Sequence, residues 1–376
     1  MCVCCNNIKR WVMSLYTDYL DVLKKWLWLE DEEGIDIIIA TAIAAMMPGD
    51  PLWLFVVDPP GSCKTEVCRS LNGPKVYTLD NLTPQSLITG FRVKKGQTID
   101  ILPDLDGKVL VIKDFTTILT KPERTREELF GQLRSAYDGE LEQAFGSGVK
   151  KKGFKSTFGI IAAVTPIIDI FQTVHALLGE RFIRVRPRYN RMKAIRKALE
   201  HSGQEDTMRK EITHIARIML DYYDMAAAST PSVSIELNKL VNLGHIIALL
   251  RTSIPRDYKR HVIHYPEAEV GTRVGKQFLR LAQALNVLDR YKYSTLIRCA
   301  WDCITIPRQT IIRTLFANPL TTRQLVEETR LTEDIIRTEG ENLWLLSVLN
   351  RELVRNTYRF SVKPEFEISL LEAELI

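Results

Sequence analysis

One stretch constrains this chain more than any other: residues 52–71, LWLFVVDPPGSCKTEVCRSL. Six mostly apolar residues, 52–57, predict a buried strand of the parallel type. A tight Pro59-Pro60-Gly61 turn follows, and Lys64-Thr65 opens a helix. Strand, loop and helix in that order form the setting in which backbone N–H groups and a helix dipole hold a phosphate. In that setting Pro60, Gly61, Ser62 and Cys63 make the cradle and Lys64 reaches the β- and γ-phosphates of ATP. The Thr65 hydroxyl binds Mg²⁺. The loop departs from GxxxxGK followed by Ser or Thr, because Asp58 and Cys63 stand where glycines belong. A Cβ and a thiol at one place and a carboxylate at the other work against a bound anion.

Residues 107–120, GKVLVIKDFTTILT, predict a second buried strand, Val109–Ile112, ending at Lys113-Asp114. An acid at that edge of a parallel sheet is placed to hold Mg²⁺ or to polarise an attacking water. Lys113 and Phe115 flank Asp114, so the usual neighbouring acid is missing; Asp138 and Glu140 are candidate substitutes. A third apolar run, 158–166, ends at Thr165, a candidate sensor of the γ-phosphate. Arg181, in LGERF, is a candidate arginine finger for a neighbouring subunit's phosphate. Arg273, at the start of a helix over 272–288, is a candidate lid residue over the nucleotide. The run FGSGVKKKGFK predicts an exposed hairpin whose Lys150, Lys151, Lys152 and Lys155 would contact nucleic acid.

Further elements follow from periodicity and capping. Helices are expected over 11–29, 34–47, 81–90 and 233–250, and 190–288 reads as almost wholly helical. Residues 323–329 and 333–349 predict two helices joined by a turn at Arg330-Leu331-Thr332, and 353–362 a hairpin. That order predicts a winged helix. From Asp289 onward 12 Lys/Arg face 13 Asp/Glu, and the second helix carries Glu333, Asp334, Glu339 and Glu341. This is poor electrostatics for a phosphate backbone, so a protein contact is the alternative role.

The 376 residues suffice for two or three domains, and a net charge of +5 permits nucleic-acid contact without requiring it. No membrane span or signal peptide is expected. Cys2, Cys4 and Cys5 crowd a terminus read as a disordered reduced tail, and a reducing, cytoplasmic setting is expected.

Taken together, DPPGSCKTE, VLVIKDFTTIL, FGIIAAVTP, LGERF and EVGTRVGKQ, in that order, resemble the AAA+ ATPases. The likeness is to single-chain members from phages and mobile elements that end in a winged helix. The resemblance implies an α/β fold: an AAA+ P-loop core with a parallel sheet in the order 5-1-4-3-2, a helical lid and a C-terminal winged-helix domain. It implies ATP between subunits of a ring or filament. Lys64 and Thr65 match Walker A, Asp114 the Walker B region, Thr165 sensor 1, Arg181 the finger and Arg273 sensor 2. The expected division is a helical segment 1–47, a nucleotide-binding core 48–189, a lid 190–288 and the winged helix 289–376. The expected activity is an ATP-dependent, helicase-like motor or loader acting on DNA. The alternatives are a nucleotide-gated initiator or regulator and a non-hydrolysing interaction protein.

Overall fold

A computed structural model describes residues 3–61, 64–89, 100–145, 151–170, 181–227, 232–265 and 267–376, with side chains from Leu15 onward. The chain divides into two compact units: Met1–Val233 with Arg280–Thr295, and Ser234–Leu279 with Leu296–Ile376.

The first unit begins with helices α1 (Val3–Trp26) and α2 (Glu32–Met46), strand β1 (Trp53–Val57) and helix α3 (Lys64–Ser70). Then come β2 (Val76–Leu79), α4 (Pro84–Leu87), α5 (Leu102–Leu105), β3 (Val109–Ile112), α6 (Thr116–Leu119) and α7 (Glu123–Tyr137). A hairpin of β4 (Glu140–Ala144) and β5 (Lys151–Lys155) precedes β6 (Gly159–Val164), β7 (Phe182–Val185), α8 (Arg191–Glu200) and α9 (Glu205–Ala226). Five strands form one parallel sheet, ordered β2-β3-β6-β1-β7. Counted along the chain from the other edge, that is 5-1-4-3-2, the order expected.

Strands β1, β3 and β6 are buried at every position, which is why their sequences run apolar without alternation. Trp53, Phe55 and Val57 turn one way, into a cluster with Leu110, Ile160, Phe182 and the helix residues Leu105, Phe130 and Leu133. Each such aliphatic or aromatic side chain contributes about 1.5–3 kcal/mol on burial. Helix α2 packs on β1, β3, β6 and β7 and is buried throughout from Gly34 to Ala45. A helix apolar on all sides can be accommodated only in such an interior. Its buried acid, Asp36, accepts from Tyr16 Oη at 2.5 Å and from Arg290 Nε at 3.2 Å. Burial raises the Asp36 carboxyl pKa above the usual range, against the hydrogen bond and the Arg290 charge.

The second unit holds α10 (Leu237–Arg251), the ends of α11 (Thr272–Val287) and α12 (Tyr293–Cys303) that fall in it, and α13 (Ile306–Ala317). Strand β8 (Leu320–Thr321), α14 (Thr322–Thr329), α15 (Glu333–Leu345), β9 (Leu349–Val354), β10 (Thr357–Val362) and α16 (Pro364–Glu372) follow. The three short strands form an antiparallel sheet, β8-β10-β9. Thr321 and Gln324 close a capping box on α14, and Thr332 caps α15. Helices α10 and α11 approach so closely that a Cβ on Gly244 would lie 2.7 Å from the Gly271 carbonyl and 3.1 Å from the Gly275 nitrogen.

Several sequence expectations change at their ends. Helix α15 stops at Leu345 rather than 349. Ser347 takes φ 61°, and the N–H groups of Ser347 and Val348 donate to Trp344 and Leu343 carbonyls, closing the helix. Leu349 therefore opens β9, four residues before the expected hairpin. The helix expected over 81–90 forms only as Pro84–Leu87, although Thr83 caps it. The expected tail is helical from Val3. The almost wholly helical stretch expected over 190–288 is interrupted by a small hairpin at 255–263. Among the described residues, no helix is long and apolar enough to cross a membrane.

Candidate functional site

In a parallel sheet all strands end at one edge, and α/β proteins bind ligands outside that edge. Asp58, Asp114 and Thr165 follow the last residues of β1, β3 and β6 there. Lys64 opens α3 at the same edge. Gly61 has φ 79°, a conformation glycine adopts freely, so the loop between β1 and α3 turns where its sequence permits. Ser62 and Cys63 lie outside the described residues.

Lys64 is turned back on its own loop. Its Nζ donates to the Asp58 carbonyl at 2.6 Å and to the Pro59 carbonyl at 2.9 Å. Burial holds the Lys64 pKa below the usual lysine range, while Asp58, Cys68 and Asp114 oppose that shift. Asp58 is 4% exposed and accepts from Tyr189 Oη at 3.3 Å. The cavity bordering Asp58, Lys64 and Tyr189 measures about 30 Å³, room for a water or two. A phosphate group entering here has to displace Lys64 from the two carbonyls and share it with the Asp58 charge. Cys68, one turn along α3, is wholly buried, and burial pushes its thiol up to about 12.

Thr165 and the Asp114 loop are joined through a residue that the sequence reading passed over. The Thr116 hydroxyl accepts from Thr165 N at 3.2 Å and lies 3.3 Å from Thr165 Oγ1. Asp114 Oδ1 accepts from Thr116 N at 2.9 Å, so one residue ties the ends of β3 and β6 together. Lys113 pairs with Asp80 at 2.7 Å and Phe115 is buried, which leaves Asp114 as the exposed member of that trio.

Arg181 sits at the opposite edge. It precedes Phe182, whose register partner is Trp53, the first residue of β1. One strand length, ~13 Å, separates that edge from the loop. Its guanidinium donates to Asp138 at 3.1 Å and lies 5.5 Å from the centre of the Tyr137 ring. Asp138 is therefore no substitute acid for its own chain's loop, and Glu140 is taken up by Lys155. Arg273 donates to Glu269 within the second unit, whereas Lys64 belongs to the first.

The lysine-rich hairpin exists, but its charge is compensated. Lys151 pairs with Glu142 at 2.7 Å, Lys155 with Glu140 at 2.5 Å, and Lys152 with the buried Asp100. Lys150 lies outside the described residues.

Beside the loop, a cleft of about 530 Å³ opens between α8 and the chain that precedes α2. Trp28, Tyr189, Ile195 and Leu199 give it flat and apolar walls, and Arg191 and Lys197 add cations. Helix α8 has no buried residue, so its apolar side chains are available to whatever enters. The sequence offered no signal for Tyr189 or the tryptophan, because neither belongs to a spaced motif. No family model matches this chain, and no curated protein matches it.

Proposed function

We propose that this chain binds a nucleoside triphosphate with Mg²⁺ in the manner of AAA+ proteins and uses it to gate assembly rather than for fast turnover. The observation that carries the reading is Lys64 opening a helix at the carboxyl edge of a parallel sheet, the edge at which Asp114 and Thr165 follow β3 and β6. Phosphates would lie against the α3 N-terminus, with Thr65 and Asp114 holding Mg²⁺ and the base in the cleft lined by Trp28 and Tyr189. Slow gating follows from Lys64 starting out bonded to the Asp58 and Pro59 carbonyls, and from the lack of a second acid beside Asp114. Arg181, a strand length from its own loop, would have to leave Asp138 to meet a phosphate of a neighbouring subunit in a ring or filament.

A DNA-acting motor or loader is the second reading. The helix, turn, helix and hairpin order of the second unit favours it. The compensated β4–β5 lysines give it no support.

Titration of fluorescent ATP with Mg²⁺ tests the leading reading. Wild type should saturate, and Lys64→Ala should weaken binding by roughly 10-fold or more, the loss of one charge-assisted contact. Equal binding by the two proteins, or none by either, rules the site out.

A further inference from the structure

Residues 255–265 carry side chains that neither reading uses. The chain leaves α10 and folds back on itself: Ile263 N donates to the Pro255 carbonyl at 3.0 Å and Asp257 N to the His261 carbonyl at 2.9 Å. Arg260 N closes the turn onto the Asp257 carbonyl at 2.9 Å, and Arg260 takes φ 66°. A turn followed by one left-handed residue is a common three-residue hairpin loop. The Asp257 carboxylate accepts from Lys259 N and His261 N, both at 2.8 Å. The only acid of this segment is thus committed to holding the turn. Arg256 fixes the stem, donating to the Arg260 carbonyl at 2.9 Å, to Glu341 at 2.9 Å and to Asn342 at 2.6 Å.

This ordered backbone holds its large side chains in water. Tyr258 is 89% exposed and Tyr265 is 74% exposed. Lys259 Nζ lies 5.5 Å from the centre of the Tyr258 ring. A left-handed position favours glycine or asparagine, so an arginine there is held at a backbone cost. Nor do the acids of α15 repel an anion. Glu333 pairs with Arg337 at 2.6 Å, Asp334 with Arg260 at 3.3 Å, Glu339 with Arg308 at 2.7 Å and Glu341 with Arg256 at 2.9 Å. The Asp334–Arg260 pair is exposed on both sides, so a phosphate can compete for that arginine. Exposed rings beside exposed cations are the elements with which proteins stack unpaired bases and neutralise the phosphates between them.

We propose that the 255–263 hairpin and the adjoining Tyr265 form a contact for single-stranded nucleic acid, with Tyr258 and Tyr265 stacking on bases and Lys259 and Arg260 holding adjoining phosphates. None of its residues belongs to the first unit, so the proposal stands or falls apart from the nucleotide site.

The test is fluorescence anisotropy on the full chain with fluorescein-labelled oligo-dT and oligo-U of about 20 nucleotides, titrated across salt. Wild type should bind at least one of the strands, with affinity that falls as salt rises. Tyr258→Ala should weaken binding by roughly 5- to 100-fold, while Tyr258→Phe, which keeps the ring, should bind as wild type does. Lys259→Gln combined with Arg260→Gln should reduce the salt slope by about 1.4, two single-strand phosphate contacts. Absence of oligonucleotide binding by wild type overturns the proposal and leaves a protein partner as the occupant. So does Tyr258→Ala binding as wild type does, or a duplex of equal length that binds equally well and does not respond to that substitution.

Discussion

In the β4–β5 hairpin, Lys151, Lys152 and Lys155 each face an acid; along α15, Glu333, Asp334, Glu339 and Glu341 each face an arginine. One region carries a run of positive charge and the other a run of negative charge, yet both are compensated. They differ in where the partners come from. Lys151 and Lys155 meet acids of the strand beside them, so the hairpin neutralises two of its three described lysines itself. Three of the four α15 acids meet arginines from distant parts of the chain: Arg308 from α13, and Arg256 and Arg260 from the 255–263 hairpin. Pairs of the first kind decorate an element that is already formed. Pairs of the second kind fasten separate elements together, and buried ones are costly to break.

The largest effect that would sharpen this contrast is at Arg308. It is 4% exposed and donates to Glu339 and to the Leu250 and Thr252 carbonyls. Arg308→Ala should cost about 3–5 kcal/mol in urea unfolding, because a carboxylate and a helix end are left without their donor. A loss below about 1 kcal/mol would show that α15 does not depend on its distant arginines, and the contrast would collapse. Lys152 comes next, since it is the hairpin lysine whose partner, Asp100, is buried while Thr89 N still donates to it. Lys152→Ala should cost roughly 2–3 kcal/mol by the same measurement. The smallest effect is at Lys151 and Lys155, whose pairs are exposed on both sides. Alanine at both should leave the unfolding midpoint unchanged. It should also alter the salt slope of oligonucleotide binding less than the Lys259 and Arg260 changes do. A larger change in that slope would restore the hairpin as a nucleic-acid surface.

Much of the first unit was legible because parallel strands buried on both faces leave unbroken apolar runs, as at Val109–Ile112, whose bounds match the sequence reading. Phe182–Val185 was harder to see, since Arg184 sits fully buried in the strand and pairs with Asp169 at 2.7 Å. Lys64 was legible as a position. Its bonds to the Asp58 and Pro59 carbonyls were not, because they depend on the path of the loop in space. The end of α15 was hidden for a local reason: Ser347 does the work that a glycine would have announced. The 255–263 hairpin was hidden because its stem is held by Asp257 and Arg256, two polar residues inside a stretch that otherwise reads as helical. The resemblance supplied the strand order, which no periodicity encodes.

The crossing of α10 and α11 also bears on inheritance. Gly244 meets the backbone at Gly271 and Gly275 with no room for a side chain. Every single-base change in a glycine codon that alters the residue adds at least a Cβ. Descendants of this chain therefore have almost no neutral steps open at that crossing. The hairpin tip, where Tyr258 and Lys259 project into solvent, can change without disturbing the scaffold. Among related chains the unit should accordingly keep its glycine crossing while its tip diverges, so that binding preference drifts on a frame that does not.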